Sequence, residues 1–227
     1  MAYEARYDAV VPYSDVSLDD TVALTQDTIF SRGPKGVRRT AIFIGGRDLG
    51  VALAMFEAAR KAMVKPFVVS VFTDPSGAIP TAGAIVAMVE RRLREATGNG
   101  LAGRRLRVFG GTGPVGICAG VMSAGSGAAV ELVSHQGLGA AQKTADDYNR
   151  RLGTAMQGAD GSTPRRVADL VAGAEVIINC ARAGVRVVDA QQLGGGAELR
   201  VAADVNAVPP SGIEGIDAHD DCRALGS

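Results

Sequence analysis

Residues 107–116, RVFGGTGPVG, carry an apolar stretch into a glycine-rich turn. Gly111-Thr112-Gly113-Pro114-Val115-Gly116 has the form G-x-G-x-x-G, whose chemistry is the binding of a dinucleotide pyrophosphate. In that chemistry Gly111 permits the tight turn and Gly113 removes the side chain that would block the anion. Gly116 lets the following helix pack close to the strand, so that the first N–H groups of the helix face the phosphates. Pro114 suits the first helical turn, where a missing N–H costs nothing. In a chain with 30 glycines the same letters also arise as a plain corner. The context favours the cofactor reading: a strand precedes the turn, a helix follows, and the whole fits a βαβ unit of about 30 residues.

An NAD site carries Asp or Glu about 20 residues past the glycines, to hold the ribose hydroxyls. Here Ser134-His135-Gln136 stand at that strand end. With no carboxylate to repel a 2′-phosphate, the expected cofactor is NADP, with NAD as the alternative. No arginine stands there either, so Ser134, His135, Gln136 and Lys143 are the candidate donors. His135 reads equally as a surface histidine.

Further candidates lie at other strand ends, the edge where open α/β sheets bind ligands. Cys180-Ala181 follows one strand and is expected to line the cofactor cleft, with Cys180 a small buried residue rather than a nucleophile. Asp204 and Asn206 end the last strand, where they either face the nicotinamide carboxamide or build the turn before Pro209-Pro210. In the first third of the chain, Asp74, Ser76, Gly77 and Thr81 within TDPSGAIPTAG suit a substrate contact, although capping of a helix by Ser76 or Thr81 explains the same letters. Arg32 is a candidate for a substrate carboxylate, or a solvated side chain.

These residues need elements to position them. RTAIFIGG (39–46) reads as a strand, the stretch from Leu49 to Met63 as a helix, PFVVSVFTD (66–74) as a strand, and Thr81 to Ala96 as a second helix. TGNGLAG then breaks the pattern and marks a domain boundary, dividing the chain into residues 1–98 and 99–227. In the second part LRVFGG, AAVELVSH, AEVIINCA and LRVAADVN read as strands, and 115–126 and 139–151 as helices. GADGSTP and the GGG stretch read as loops, as does the tail from Val208. The expected fold class is α/β: a Rossmann-type, doubly wound parallel sheet plus a smaller α/β domain.

Composition limits the partners. With 24 basic and 24 acidic residues among 227, mixed along the chain, the net charge is zero and no basic face suggests nucleic acid. Apolar runs fall short of the roughly 18 residues of a membrane span, and the acid- and proline-containing MAYEARYDAVVPYSD lacks the form of an export signal, so the expected address is cytoplasmic. Three scattered cysteines and two histidines offer no disulfide framework and no metal-ligand spacing.

The stretches TIFSRG (28–33), TAIFIGG (40–46), PFVVSVFTDPSG (66–77), GTGPVG (111–116) and ADVNAVPPSGIEGIDA (203–218) resemble, in order, the bacterial NAD(P)-dependent methylene-tetrahydromethanopterin dehydrogenases, relatives of the methylene-tetrahydrofolate dehydrogenases. The resemblance implies a pterin-binding domain over 1–98 and an NADP-binding domain over 99–227, assembled as a homo-oligomer. It implies direct hydride transfer from the methylene carbon of methylene-tetrahydromethanopterin to the nicotinamide, in formaldehyde oxidation. Asp74, Ser76, Gly77, Thr81 and Arg32 become the pterin contacts. Because the product cation is stabilised by two flanking nitrogens, no strong base is required and no catalytic residue is singled out. Relatives continue past the position matching Ser227 into a lysine-bearing segment of the active site, which leaves a non-catalytic NADP-binding relative as an alternative, beside a methylene-tetrahydrofolate dehydrogenase.

Overall fold

The computed structural model describes residues 7–206 and 208–224; the first six residues of the N-terminal stretch and the last three of the tail lie outside it. The chain divides into two compact units, Met1–Ser76 and Gly77–Ser227.

The first unit holds helix α1 (Asp20–Phe30), a single helical turn α2 (Pro34–Val37), strand β1 (Ala41–Ile44), helix α3 (Leu49–Ala62) and strand β2 (Ser70–Thr73). β1 and β2 pair in parallel, with Ile44 opposite Thr73. Alternation in each strand sends Ile42, Ile44 and Val71 toward the apolar face of α3, where Ala52, Met55 and Ala59 complete a small core. A second cluster, Ile29, Val37 and Val69, closes the opposite end of the sheet.

The second unit begins with helix α4 (Ala78–Thr97), followed by β3 (Arg105–Phe109), α5 (Pro114–Gly125), β4 (Ala129–Ser134) and α6 (Leu138–Leu152). After these come β5 (Gln157–Asp160), α7 (Pro164–Ala172), β6 (Val176–Asn179), α8 (Ala190–Gly194) and β7 (Val201–Asp204). The sheet order is β5-β4-β3-β6-β7, all parallel. Its strands are covered on both faces, which is why β6 reads Val-Ile-Ile-Asn with every residue buried. On one face Phe109, Val133 and Ile177 pack with Val167 and Val171 of α7. On the other, α5 approaches so closely that a Cβ at Gly120 would lie 2.6 Å from Leu132 and 3.0 Å from the Met156 sulfur. This is the doubly wound α/β sheet the sequence pattern predicts.

Two expectations need correction. The division falls at 76/77 rather than 98/99, because α4 packs along α5, with the Met122 sulfur 4.0 Å from where a Gly83 Cβ would stand. And GADGSTP is not loop throughout: Gln157–Asp160 is the edge strand β5, and Pro164 starts α7. β5 escapes the sequence pattern because it lacks β-branched residues. Its Gly158 is demanded by α6, since a Cβ there would stand 2.2 Å from the Gln142 amide nitrogen.

Candidate functional site

Sheet order sets the location. β3 lies between β4 and β6, and the chain winds one way from β3 and the other way from β6, so a crevice opens at the carboxyl ends of these two strands. The glycine turn 110–116, Cys180-Ala181 and Ser134-His135-Gln136 all emerge at that edge.

The turn separates glycines needed by the fold from one that is not. Gly110, just outside the G-x-G-x-x-G pattern, has φ +68°, and a Cβ there would lie 2.5 Å from the Ala181 amide nitrogen. It, rather than Gly111, carries the left-handed corner; the sequence pattern passes over it because it precedes the motif. Gly111 is glycine for closeness: its Cβ would stand 2.8 Å from both Leu132 Cα and the Val108 carbonyl oxygen. Its amide donates to the Val133 carbonyl at 3.0 Å, anchoring the turn on β4. At Gly116 a Cβ would be 2.4 Å from the Gly110 carbonyl oxygen, so the helix must have glycine there to sit on the turn.

Gly113 differs. Its φ of −84° suits any residue, and a Cβ would meet only the Gly110 carbonyl oxygen, at an ordinary 3.4 Å. It is the N-cap of α5 with no side-chain cap, and Pro114 stands at the first helical position. The amide of Ile117 already turns to the Gly113 carbonyl, which leaves Val115 and Gly116 as first-turn donors without an acceptor inside the helix. In a G-x-G-x-x-G turn the second glycine lets the backbone approach the pyrophosphate, and Gly113 holds that position. The residues present therefore fit a dinucleotide pyrophosphate, held by the first-turn amides of α5 with Thr112 beside them.

The other predicted cofactor residues divide into two groups. His135 and Gln136 are exposed past the end of β4, whereas Ser134 is fully buried and its hydroxyl accepts the Gln136 amide at 3.1 Å. Ser134 shapes the turn and is not placed as a phosphate donor. Lys143 is exposed on α6 and pairs with Asp147 at 3.3 Å.

Asp204 and Asn206 are engaged within the fold. Asp204 Oδ1 accepts from Asn179 Nδ2 at 2.8 Å and from the Asn206 amide at 2.9 Å, while Oδ2 accepts the Ile213 amide at 2.8 Å. Asn206 Oδ1 accepts the amides of Gly184 and Val208, and its Nδ2 donates to the Pro210 carbonyl. Of the two readings open in the sequence, the geometry supports turn-building. Asn179 is the partner sequence reasoning missed; the signal was one polar residue ending an otherwise apolar strand. Its Oδ1 accepts the Ala181 amide at 3.2 Å, tying the loop after β6 to the same network.

Cys180 sits between these residues. Burial pushes its thiol up to about 12, and the Asp204 carboxylate adds to the shift. The thiol therefore stays protonated at neutral pH and is no nucleophile, as expected from sequence.

In the first unit, the turns after β1 and β2 meet. The Asp74 amide donates to the Ile44 carbonyl at 3.0 Å, and the Ser76 hydroxyl to the Gly46 carbonyl at 3.2 Å. Ser76 has φ +57° and Gly77 φ +72°. Capping does not explain these residues: no side chain caps α4, whose N-cap is Gly77, and Thr81 is exposed inside that helix. Arg32 is exposed just past the end of α1.

Comparison with known proteins bears on the family of the chain. The sequence model of the family "Methylene-tetrahydromethanopterin dehydrogenase, N-terminal" matches residues 1–76, the span of the first compact unit. The NAD(P)-dependent methylenetetrahydromethanopterin dehydrogenase of Methylorubrum extorquens is 43% identical over 219 residues, 96% of this chain and 74% of that protein. The bifunctional protein MdtA of the same organism is 34% identical over 226 residues, 100% of this chain and 77% of that protein. Among solved structures, a dipicolinate synthase from Bacillus halodurans has a TM-score of 0.46 at 17% identity, covering 81% of this chain and 57% of that one. The chain belongs to the methylene-tetrahydromethanopterin dehydrogenase family.

Proposed function

We propose that this protein oxidises methylene-tetrahydromethanopterin to methenyl-tetrahydromethanopterin with NADP as hydride acceptor. The observation that carries the cofactor half is Gly113, a glycine without backbone or packing need, at the motif position where glycine lets the backbone approach a pyrophosphate. The substrate half rests on family membership, and the relative that is 43% identical bears that activity in its name.

When bound, the nicotinamide supplies a ring carbon that accepts hydride. The chain's own contribution is positioning. Val115 and Gly116 amides hold the pyrophosphate, Cys180 and Ala181 form the neighbouring wall, and the Asn179–Asp204–Asn206 network keeps the loops after β6 and β7 in place. A protonated Cys180 adds no charge to this edge of the sheet. The substrate cation is stabilised by its own flanking nitrogens, so orientation is the main demand on the protein. Asp74 and Ser76, with Gly77 and Thr81 following in the chain, and Arg32 are the proposed pterin contacts. NADP is the proposed hydride acceptor, with NAD as the alternative.

The protein works as a homo-oligomer in the cytoplasm, without nucleic acid or membrane partners. Among the described residues no helix is long and apolar enough to cross a membrane.

Mixing the purified, folded protein with methylene-tetrahydromethanopterin and NADP should give reduced cofactor together with the methenyl chromophore. Absence of both at saturating substrate overturns the proposal. Turnover only with methylene-tetrahydrofolate overturns its substrate assignment.

A further inference from the structure

The carboxylate missing from the end of β4 is supplied by the next strand. Ser134 pairs in register with Asp160, the last residue of β5, and the Gly161 amide donates to the Ser134 carbonyl at 3.0 Å. Strands in a sheet lie about 4.8 Å apart, so the Asp160 side chain occupies the neighbourhood where a dinucleotide enzyme reads the adenine ribose. Gly137, with φ +97°, stands beside that carboxylate: a Cβ there would lie in ordinary contact with Asp160 Oδ2, at 3.9 Å.

Asp160 does not stand alone. Arg166, in the first turn of α7, forms an ion pair with Asp160 Oδ2 and also donates to the Ser162 hydroxyl at 3.3 Å. Asp160 Oδ1 accepts the Ser162 amide at 2.9 Å, which fixes the carboxylate on its strand end. The Arg166 side chain is half-exposed, at 53%, and Asp160 is 21% exposed. A guanidinium has five donors in a planar fork, so Arg166 can keep its bond to Asp160 and present others outward.

We propose that Asp160 and Arg166 together read the 2′ position of the adenosine ribose: Asp160 accepts from a 2′-hydroxyl, and Arg166 donates to a 2′-phosphate while neutralising the carboxylate that would otherwise repel it. Selectivity between NAD and NADP is set by this pair rather than by Ser134-His135-Gln136. The inference rests on the cofactor reading proposed above but not on the pterin.

The test uses the adenosine fragments 5′-AMP and 2′,5′-ADP, whose binding to the whole protein is measured by calorimetry without any pterin. Arg166→Ala should weaken 2′,5′-ADP by about tenfold or more, the scale of a lost charged hydrogen bond, and leave 5′-AMP within about twofold of the original protein. Arg166→Lys should recover part of the loss. Asp160→Asn, which retains the acceptor for the Ser162 amide, should weaken 5′-AMP and not 2′,5′-ADP. The Arg166 substitutions leave the helix cap intact, because the Thr163 hydroxyl accepts the Arg166 backbone amide. A ratio of the two affinities that neither substitution moves overturns the inference. If the unaltered protein binds neither fragment, the cofactor reading falls and takes this inference with it. Fragment binding that follows these expectations in a protein inactive on the pterin leaves the inference standing and removes only the substrate assignment.

Discussion

Asn179 Nδ2 donates to Asp204 Oδ1 over 2.8 Å, joining the last residues of two neighbouring strands that stand opposite each other in register. Asn179 is fully buried, and a Cβ at Gly212 would lie 1.9 Å from its Nδ2, so Gly212 is packed tightly against this bond. Removing either partner leaves buried polar atoms unmatched. Asn179→Ala should therefore cost about 1–3 kcal/mol of unfolding free energy. Asp204→Ala should cost more, since three donors lose their acceptor. Denaturant melts measure both, and Asn179→Ala should also speed proteolysis within 205–213. An unchanged midpoint for both variants would contradict the assignment.

The glycines of the turn should separate by phenotype. Gly113→Ala meets no clash and a permitted φ, so it should fold with an unchanged melting temperature while losing NADP affinity by an order of magnitude or more, roughly one charge-assisted hydrogen bond. Gly116→Ala pushes a Cβ onto the Gly110 carbonyl and should lower stability itself. Thermal melts with and without cofactor distinguish the two. If Gly113→Ala binds NADP as the original protein does, the pyrophosphate is held elsewhere.

Stability should fall at both pH extremes for identifiable reasons. The Arg104 guanidinium, with the Arg105 amide, holds the Glu175 carboxyl below its ordinary value; Arg94 and the Leu101 amide do the same for Glu90. A depressed carboxyl contributes stability that is present above its unfolded value near 4.3 and is lost as pH falls through the folded value. Glu175→Gln should flatten the decline in melting temperature below about pH 4.5. Cys180 acts with the opposite sign. Its thiol is pushed up to about 12, so its contribution is complete below its ordinary value near 9.0 and is lost as pH climbs toward the folded value. Cys180→Ala should flatten that alkaline decline, and Cys180 in the folded protein should resist iodoacetamide at neutral pH. Rapid alkylation of the native protein would refute the raised thiol.

Ser123 offers a stabilising substitution. It is fully buried in α5, and its hydroxyl has no hydrogen-bond partner among the described residues. Ser123→Ala removes an unmatched polar group and raises helix propensity, so it should add roughly 1 kcal/mol. A lower melting temperature for this variant would show that the hydroxyl has a partner.

Much of the architecture was legible because it is local. The run into Gly110–Gly116, the helical spacing from Leu49 and from Thr81, and the apolar strands β3, β4 and β6 each declare themselves within a dozen residues, through periodicity and turn chemistry. The same information, with the resemblance of five short stretches, was enough to name the family. Tertiary structure decided what depends on neighbours distant in the chain. Gly158 is glycine because α6 presses on it, so β5 carries no strand signature of its own. Gly110 takes the turn's left-handed corner because Ala181, some seventy residues later, leaves no room for a side chain. Helix α4 belongs with the second unit because its apolar face meets α5, although a loop signal follows it rather than precedes it. Asp160 stands opposite Ser134 at the end of β4, and Asn179 reaches Asp204, only because parallel strands lie in a particular register. Register is a relation between strands, set when both faces of the sheet are buried at once, and no single stretch of sequence contains it.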